Sequence, residues 1–136
     1  MNRLAQVQLI ARHQLSDGRG WLLKVMDGKE HALSETFGEI YLVMAIPGQV
    51  RANHYHPKTS EWFTVVKGSA VLKLADPQSG EHTDIFLDAA EPQTILVPAG
   101  VAHAFKNPED SGTELLLVAY ADRQYDPADT IAMELL

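Results

Sequence analysis

Turn-forming residues recur along this sequence at short, regular intervals, and no other feature constrains its fold as strongly. Asp17-Gly18-Arg19-Gly20, Asp27-Gly28, Pro47-Gly48, His56-Pro57, Asp76-Pro77-Gln78-Ser79-Gly80, Pro98-Ala99-Gly100 and Asn107-Pro108-Glu109-Asp110-Ser111-Gly112 are all turn-like. Between them lie short runs rich in β-branched, aromatic and aliphatic residues: Gln6–Ala11, Gly20–Met26, Glu39–Ile46, Gln49–His54, Glu61–Val66, Ala70–Ala75, Thr83–Leu87, Thr94–Val97, His103–Lys106 and Glu114–Ala121. Strands spaced about 8–12 residues apart predict an all-β sandwich or barrel. No long helical period competes. Pro127–Leu136 is expected to form a short helix or a final strand. The 136 residues make one domain, 1–136.

Charge and composition narrow the partners. The net charge is −7, and no cluster of Lys and Arg is visible, so nucleic acid and anionic membrane surfaces are excluded as main partners. A small anionic ligand needs only one local Arg. There are no cysteines, hence no disulfide and no thiolate ligand or nucleophile. Met1 to Ile10 shows no basic stretch followed by an apolar run, so no signal peptide is expected. The longest apolar runs fall far short of the ~20 residues of a spanning helix. These features lead to the expectation of a cytoplasmic protein.

Two segments carry the candidate chemistry. From Gly48 the spacing runs five residues to His54, one to His56, four to Glu61 and six to Gly68. Strand side chains alternate faces, so His54 and His56 share a face about 6–7 Å apart. A turn over Pro57–Ser60 lets Glu61 begin the return strand on the same side. The second segment orders Pro98, Gly100, His103 and Asn107, with His103 and Asn107 on one parity. If that strand packs beside the first hairpin, His103 completes a set of three imidazoles and one carboxylate. Such nitrogen and oxygen donors suit Zn, Fe, Mn, Ni or Cu. His13, His31 and His82 lie among polar or turn residues and read as surface.

The two segments resemble the first and second cupin motifs. The first matches position by position. The second matches from Pro98 through Asn107, with Pro92 where the cupin pattern has glycine. The resemblance implies a double-stranded β-helix, a jelly-roll barrel, with one divalent metal ion (Zn, Ni, Mn or Fe) held by His54, His56, Glu61 and His103.

Further stretches are similar to particular cupins. Asp17–Leu23, the run Pro47-Gly48-Gln49-Val50-Arg51-Ala52-Asn53-His54-Tyr55-His56, and Tyr125–Ile131 resemble dTDP-4-dehydrorhamnose 3,5-epimerases. The middle run also resembles the cupin domain of capsular polysaccharide-synthesis reductases and the His-x-His of nucleotide-sugar 3,4-ketoisomerases. The resemblance implies an epimerase or isomerase acting next to a keto group of a nucleotide-linked sugar, in surface polysaccharide synthesis. Such chemistry needs a base and a stabiliser for the enolate oxygen. Arg51 is the candidate for a substrate diphosphate. Tyr41 and Tyr55 are candidate acids or bases.

In the epimerases the histidine matching His54 is the base and no metal is present. One nitrogen cannot both bind a metal and accept a proton, so His54 is a base only in a metal-free site. The tyrosine of those enzymes falls here, counted from Tyr125, at Ala119, with Tyr120 facing away, and the aspartate that orients their histidine has no match. Other readings of the same residues are a metal dioxygenase-type oxidoreductase and a non-catalytic sugar-binding or sensor protein. By analogy with small cupins a homodimer is expected, with Gln6–Ala11 adding to a neighbour's sheet edge.

Overall fold

A computed structural model describes residues 2–136. Twelve strands appear among them: β1 (Gln8–Ala11), β2 (Gln14–Asp17), β3 (Gly20–Leu23), β4 (Glu39–Ala45), β5 (Val50–Tyr55), β6 (Glu61–Lys67), β7 (Ser69–Ala75), β8 (His82–Asp88), β9 (Gln93–Val97), β10 (Ala102–Lys106), β11 (Leu115–Ala121) and β12 (Ile131–Ala132). Two five-stranded antiparallel sheets, ordered β1-β9-β6-β11-β4 and β12-β5-β10-β7-β8, pack face to face as a jelly roll. β2 and β3 form a separate hairpin.

Alternation builds the core. Ala70, Leu72 and Leu74 of β7 point inward, as do Leu115, Leu117 and Ala119 of β11. They meet Phe63, Val65, Ile95, Val97 and Phe105 between the sheets. Burying each large apolar side chain contributes about 1.5–3 kcal/mol.

β6 is buried on both faces, because residues 24–38 cross the outer side of its sheet. That crossing is held by polar contacts. Arg12 donates through Nε to Thr94 Oγ1 (2.8 Å) and through Nη2 to Glu30 (2.5 Å), and Thr94 Oγ1 donates to the Val25 carbonyl (2.9 Å). Glu30 also accepts the Gly28 N–H (2.9 Å). Burial alone would raise the Glu30 carboxyl, but the Arg12 hydrogen bond and local N–H donors win and bring it down to about 2.

A β-bulge shapes the site. His103 stands opposite His54, yet Ala104 stands opposite Ala52, so Asn53 is looped out. Ala52 and Asn53 both take positive φ, 75° and 61°. Asn53 then anchors the C-terminal residues: its Oδ1 accepts the Leu135 N–H (2.8 Å), and its carbonyl accepts the Met133 N–H (2.9 Å).

The first strand begins at Gln8, two residues later than expected, and pairs with β9 on one side, its other side being the edge of the sheet. Gln14–Asp17 is a strand, which its fully exposed residues gave no pattern to reveal. Pro127–Leu136 holds both a 3-10 turn (Pro127–Asp129) and the short β12. Pro92, lacking an N–H, sits just before β9, and its carbonyl accepts the Arg12 N–H (2.9 Å).

Candidate metal centre

The four proposed ligands converge from both sheets. His54 follows the bulge in β5, and His56 lies just past that strand. His103 comes from the neighbouring β10, and Glu61 opens β6 in the facing sheet. One donor atom from each lies within 4.8 Å of all the others. The rings of His54 and His56 are 4.6 Å apart, those of His54 and His103 4.9 Å. His13, His31 and His82 are exposed and outside this cluster.

The tautomers are set by backbone carbonyls. His56 Nδ1–H donates to the Asp129 carbonyl (2.9 Å), and His103 Nδ1–H donates to the Val101 carbonyl (3.1 Å). In neutral rings the Nε2 lone pairs then point inward, at 3.0 Å (His56) and 3.5 Å (His103) from the same oxygen, Glu61 Oε1. That oxygen and His103 Nε2 are buried without a hydrogen-bond partner. Two lone pairs facing a carboxylate oxygen repel unless a positive charge lies among them. A proton on an imidazole or a divalent cation meets that demand, and the donor set fits a first-row metal.

The electrostatics agree. Burial would raise the Glu61 carboxyl, but the adjacent His103 and His56 rings, when they carry a proton, and the Tyr41 hydroxyl outweigh it and hold the group far below the usual range. Burial opposes the charge on His56, yet Glu61 prevails and raises its pKa. Burial, with the charges of His103 and His56, lowers His54 to about 4, so its lone pair is free at neutral pH.

Tyr41 of β4 donates its hydroxyl hydrogen bond to Glu61 Oε2. Burial and then the Glu61 charge push its pKa upward, so it remains protonated. It stands directly opposite Ala119 of β11. A hydroxyl therefore arrives from the strand beside the alanine that occupies the expected tyrosine position.

Two cavities meet at Tyr41 and His54. One, of about 230 Å³, is lined also by Glu39, His56, Glu61 and Arg123. The other, of about 250 Å³, is lined by Arg51, Phe63, His103 and Phe105. The bulge brings Arg51 to this inward side; its Nη1 donates to the Met44 carbonyl (3.3 Å). Tyr55 lines neither cavity, because it alternates away from His54 and His56. Asn107 also stays outside, bridging the Ala45 (2.9 Å) and Thr113 (2.8 Å) carbonyls. Glu39, Arg123 and Asp129 were not singled out from the sequence; only the resemblance over Tyr125–Ile131 pointed toward that region.

Comparison with known proteins agrees with this architecture. The chain is 28% identical over 127 residues to the spore coat polysaccharide biosynthesis protein SpsL of Bacillus subtilis (strain 168), spanning 90% of this chain and 81% of that one. A dTDP sugar isomerase structure from Desulfovibrio desulfuricans G20 superposes with TM-score 0.83 at 23% identity, covering 94% of this chain and 83% of that chain. The 3,5-epimerase RmlC of Legionella pneumophila Philadelphia 1, in complex with dTDP-4-keto-L-rhamnose, gives TM-score 0.83 at 18% identity, covering 96% of this chain and 74% of its own. The capsular polysaccharide assembling protein CapF of Staphylococcus aureus shares the fold over 91% of this chain but only 34% of its own, at TM-score 0.68 and 21% identity. These likenesses bear out the cupin jelly roll. Residues 15–131 match the family described as the polysaccharide biosynthesis C-terminal domain, and the chain belongs to that family.

Proposed function

We propose that this chain is an epimerase or isomerase of a nucleotide-linked keto sugar in surface polysaccharide synthesis, acting in the cytoplasm as a homodimer and holding one divalent metal ion through His54, His56, Glu61 and His103. The observation that carries the metal assignment is the pair of inward lone pairs, on His56 and His103, converging on one buried Glu61 oxygen. The sugar assignment rests on the family, on SpsL, and on the substrates named for the RmlC and dTDP sugar isomerase structures.

The chemistry follows from the cavity. A C–H bond beside the keto group breaks, its proton passes to a base, and its electrons move onto the carbonyl oxygen as an enolate. Reprotonation from the other side by solvent water gives the epimer. A bound divalent ion would supply Lewis-acid polarisation of that oxygen.

Tyr41 stays neutral with its one O–H given to Glu61, which it holds in place at the wall of the cavity. With His54 engaged as a ligand, the base is Glu39. This carboxylate lines the same cavity as Tyr41, two residues along the same face of β4. Ala119 and Ala121 of β11 stand opposite Tyr41 and Glu39 and leave room for a ligand. Arg51 and Arg123 are the cations bordering the two cavities, suited to a diphosphate.

The test is hydrogen exchange in D2O. Metal-loaded protein is expected to wash out the C3 hydrogen of a dTDP-4-keto-6-deoxy sugar, read by NMR. Exchange at only the spontaneous rate would remove this reading for that substrate.

A further inference from the structure

His56 is the ligand candidate least supported by strand pairing. It follows the last residue of β5 and precedes an irregular stretch, residues 57–60. Its backbone carbonyl is tied to the Gly100 N–H (2.8 Å), but its ring is oriented from the far end of the chain. Asp129 supplies two separate ties. Its backbone carbonyl accepts Nδ1–H of His56 at 2.9 Å. Its carboxylate accepts the Lys58 N–H at 2.8 Å and the Thr59 hydroxyl at 2.6 Å. Asp129 is only 6% exposed, so these bonds are its solvation.

The turn that presents Asp129 is itself well determined. Pro127 takes an early position in it, where a missing N–H costs nothing. The Asp126 side chain accepts the Ala128 N–H (2.9 Å), and the Asp126 carbonyl accepts the Asp129 N–H (2.9 Å). Beyond it, Ile131 of β12 pairs with Tyr55, which pins the turn beside β5.

We infer that Asp129 is a positioning residue of the metal centre. It locks His56 in the Nδ1–H tautomer with Nε2 aimed at Glu61, and so sets the affinity of the site for a divalent cation. The inference rests on the reading of His56 as a ligand. Outer partners of metal-bound imidazoles fix tautomer and ring orientation, and losing one typically costs roughly 10–100-fold in metal affinity. The Asp129 carboxylate matters because it joins the turn to residues 58 and 59. Without it the carbonyl and the imidazole are no longer held in register.

The experiment compares wild type with Asp129→Ala and Asp129→Asn. Zinc affinity is read by competition with a chromophoric chelator. The tautomers of His56 and His103 are read by NMR of ring-15N-histidine protein, with and without zinc. In Asp129→Ala, zinc affinity should fall roughly 10–100-fold, and His56 should become a tautomer mixture while His103, tied to Val101, stays Nδ1–H. Asp129→Asn keeps an acceptor for Lys58 and a partner for Thr59, and should return close to wild type on both readouts.

An unchanged His56 tautomer in Asp129→Ala overturns the inference, as does equal loss in both variants or parallel loss of the His103 tautomer. If Asp129→Ala does not fold, Thr59→Val removes one tie alone and should show a smaller shift of the same kind; no shift overturns the inference. Failure of wild type to bind zinc would sink the metal reading, while the tautomers of the metal-free protein still decide the role of Asp129.

Discussion

Glu61 concentrates the demands of the site. It is buried and ionised, and it faces Tyr41 through one oxygen and two imidazoles through the other. A buried charge of this kind is costly unless a proton or a cation compensates it, and the proposed metal would do so. His103→Ala is therefore expected to lower the metal content per chain sharply, while His82→Ala, exposed and remote, leaves it unchanged. Elemental analysis of both variants checks this, and equal behaviour would refute the ligand set. Glu39→Gln separates ligand from base: it should retain the metal and abolish substrate deuterium exchange. Unchanged exchange would return the base to another group. The cluster of His54, His56, Glu61 and His103 was legible because spacing along two strands fixes which side chains share a face. Asp129 was not, since it lies 73 residues from His56 and no local pattern links them. Tyr41 was legible only as a candidate, because its partner Glu61 sits on another strand.

At the scale of elements, local pattern sufficed wherever a strand buries one face. The runs from Glu39 to Ala121 appear as strands within a residue or two, since packing against the facing sheet enforces their alternation. The bulge in β5 was invisible, because its cause is the register with β10 rather than any turn signal. Ala52 accepts φ +75°, a region in which an L side chain costs roughly 1–2 kcal/mol. Ala52→Gly is expected to stabilise the fold by about 1 kcal/mol, net of glycine's greater unfolded-state entropy. Denaturant unfolding checks it, and a loss of stability would show that the Cβ packs usefully against the second cavity.

The segment over residues 24–38 makes a pH prediction. Glu30 falls from 4.5 unfolded to about 2 folded, so its stabilisation is complete above pH 4.5 and is lost as the pH falls toward 2. Glu30→Gln should lose about 3 kcal/mol at pH 7, leaving the buried Arg12 only its longer ion pair with Asp27 (3.8 Å), and should flatten the fall in stability between pH 4.5 and 2. An unaltered pH profile would count against the Arg12–Glu30 pair as the clamp.

For the whole molecule, seven of the exposed large apolar side chains fall in two places. The β2–β3 hairpin makes its strand pairs only with itself and exposes Leu15, Trp21 and Leu22. The outer face of β4, at a sheet edge, exposes Ile40, Leu42 and Met44, with Phe37 beside it. Together these side chains form an apolar surface of the kind that a stable interface of ~800 Å² per partner covers. Both features belong to one chain, so a two-fold pair can cover both at once, each copy offering its hairpin to the other's edge. The second copy is thus the proposed occupant, through residues 14–46. Sedimentation should give twice the 15.0 kDa chain mass at micromolar concentration. Leu42→Lys combined with Trp21→Ala should yield a folded monomer that keeps its metal, since neither residue is one of the four ligands. A wild-type monomer would remove the pair, and a double variant that stays dimeric would move the interface to another face.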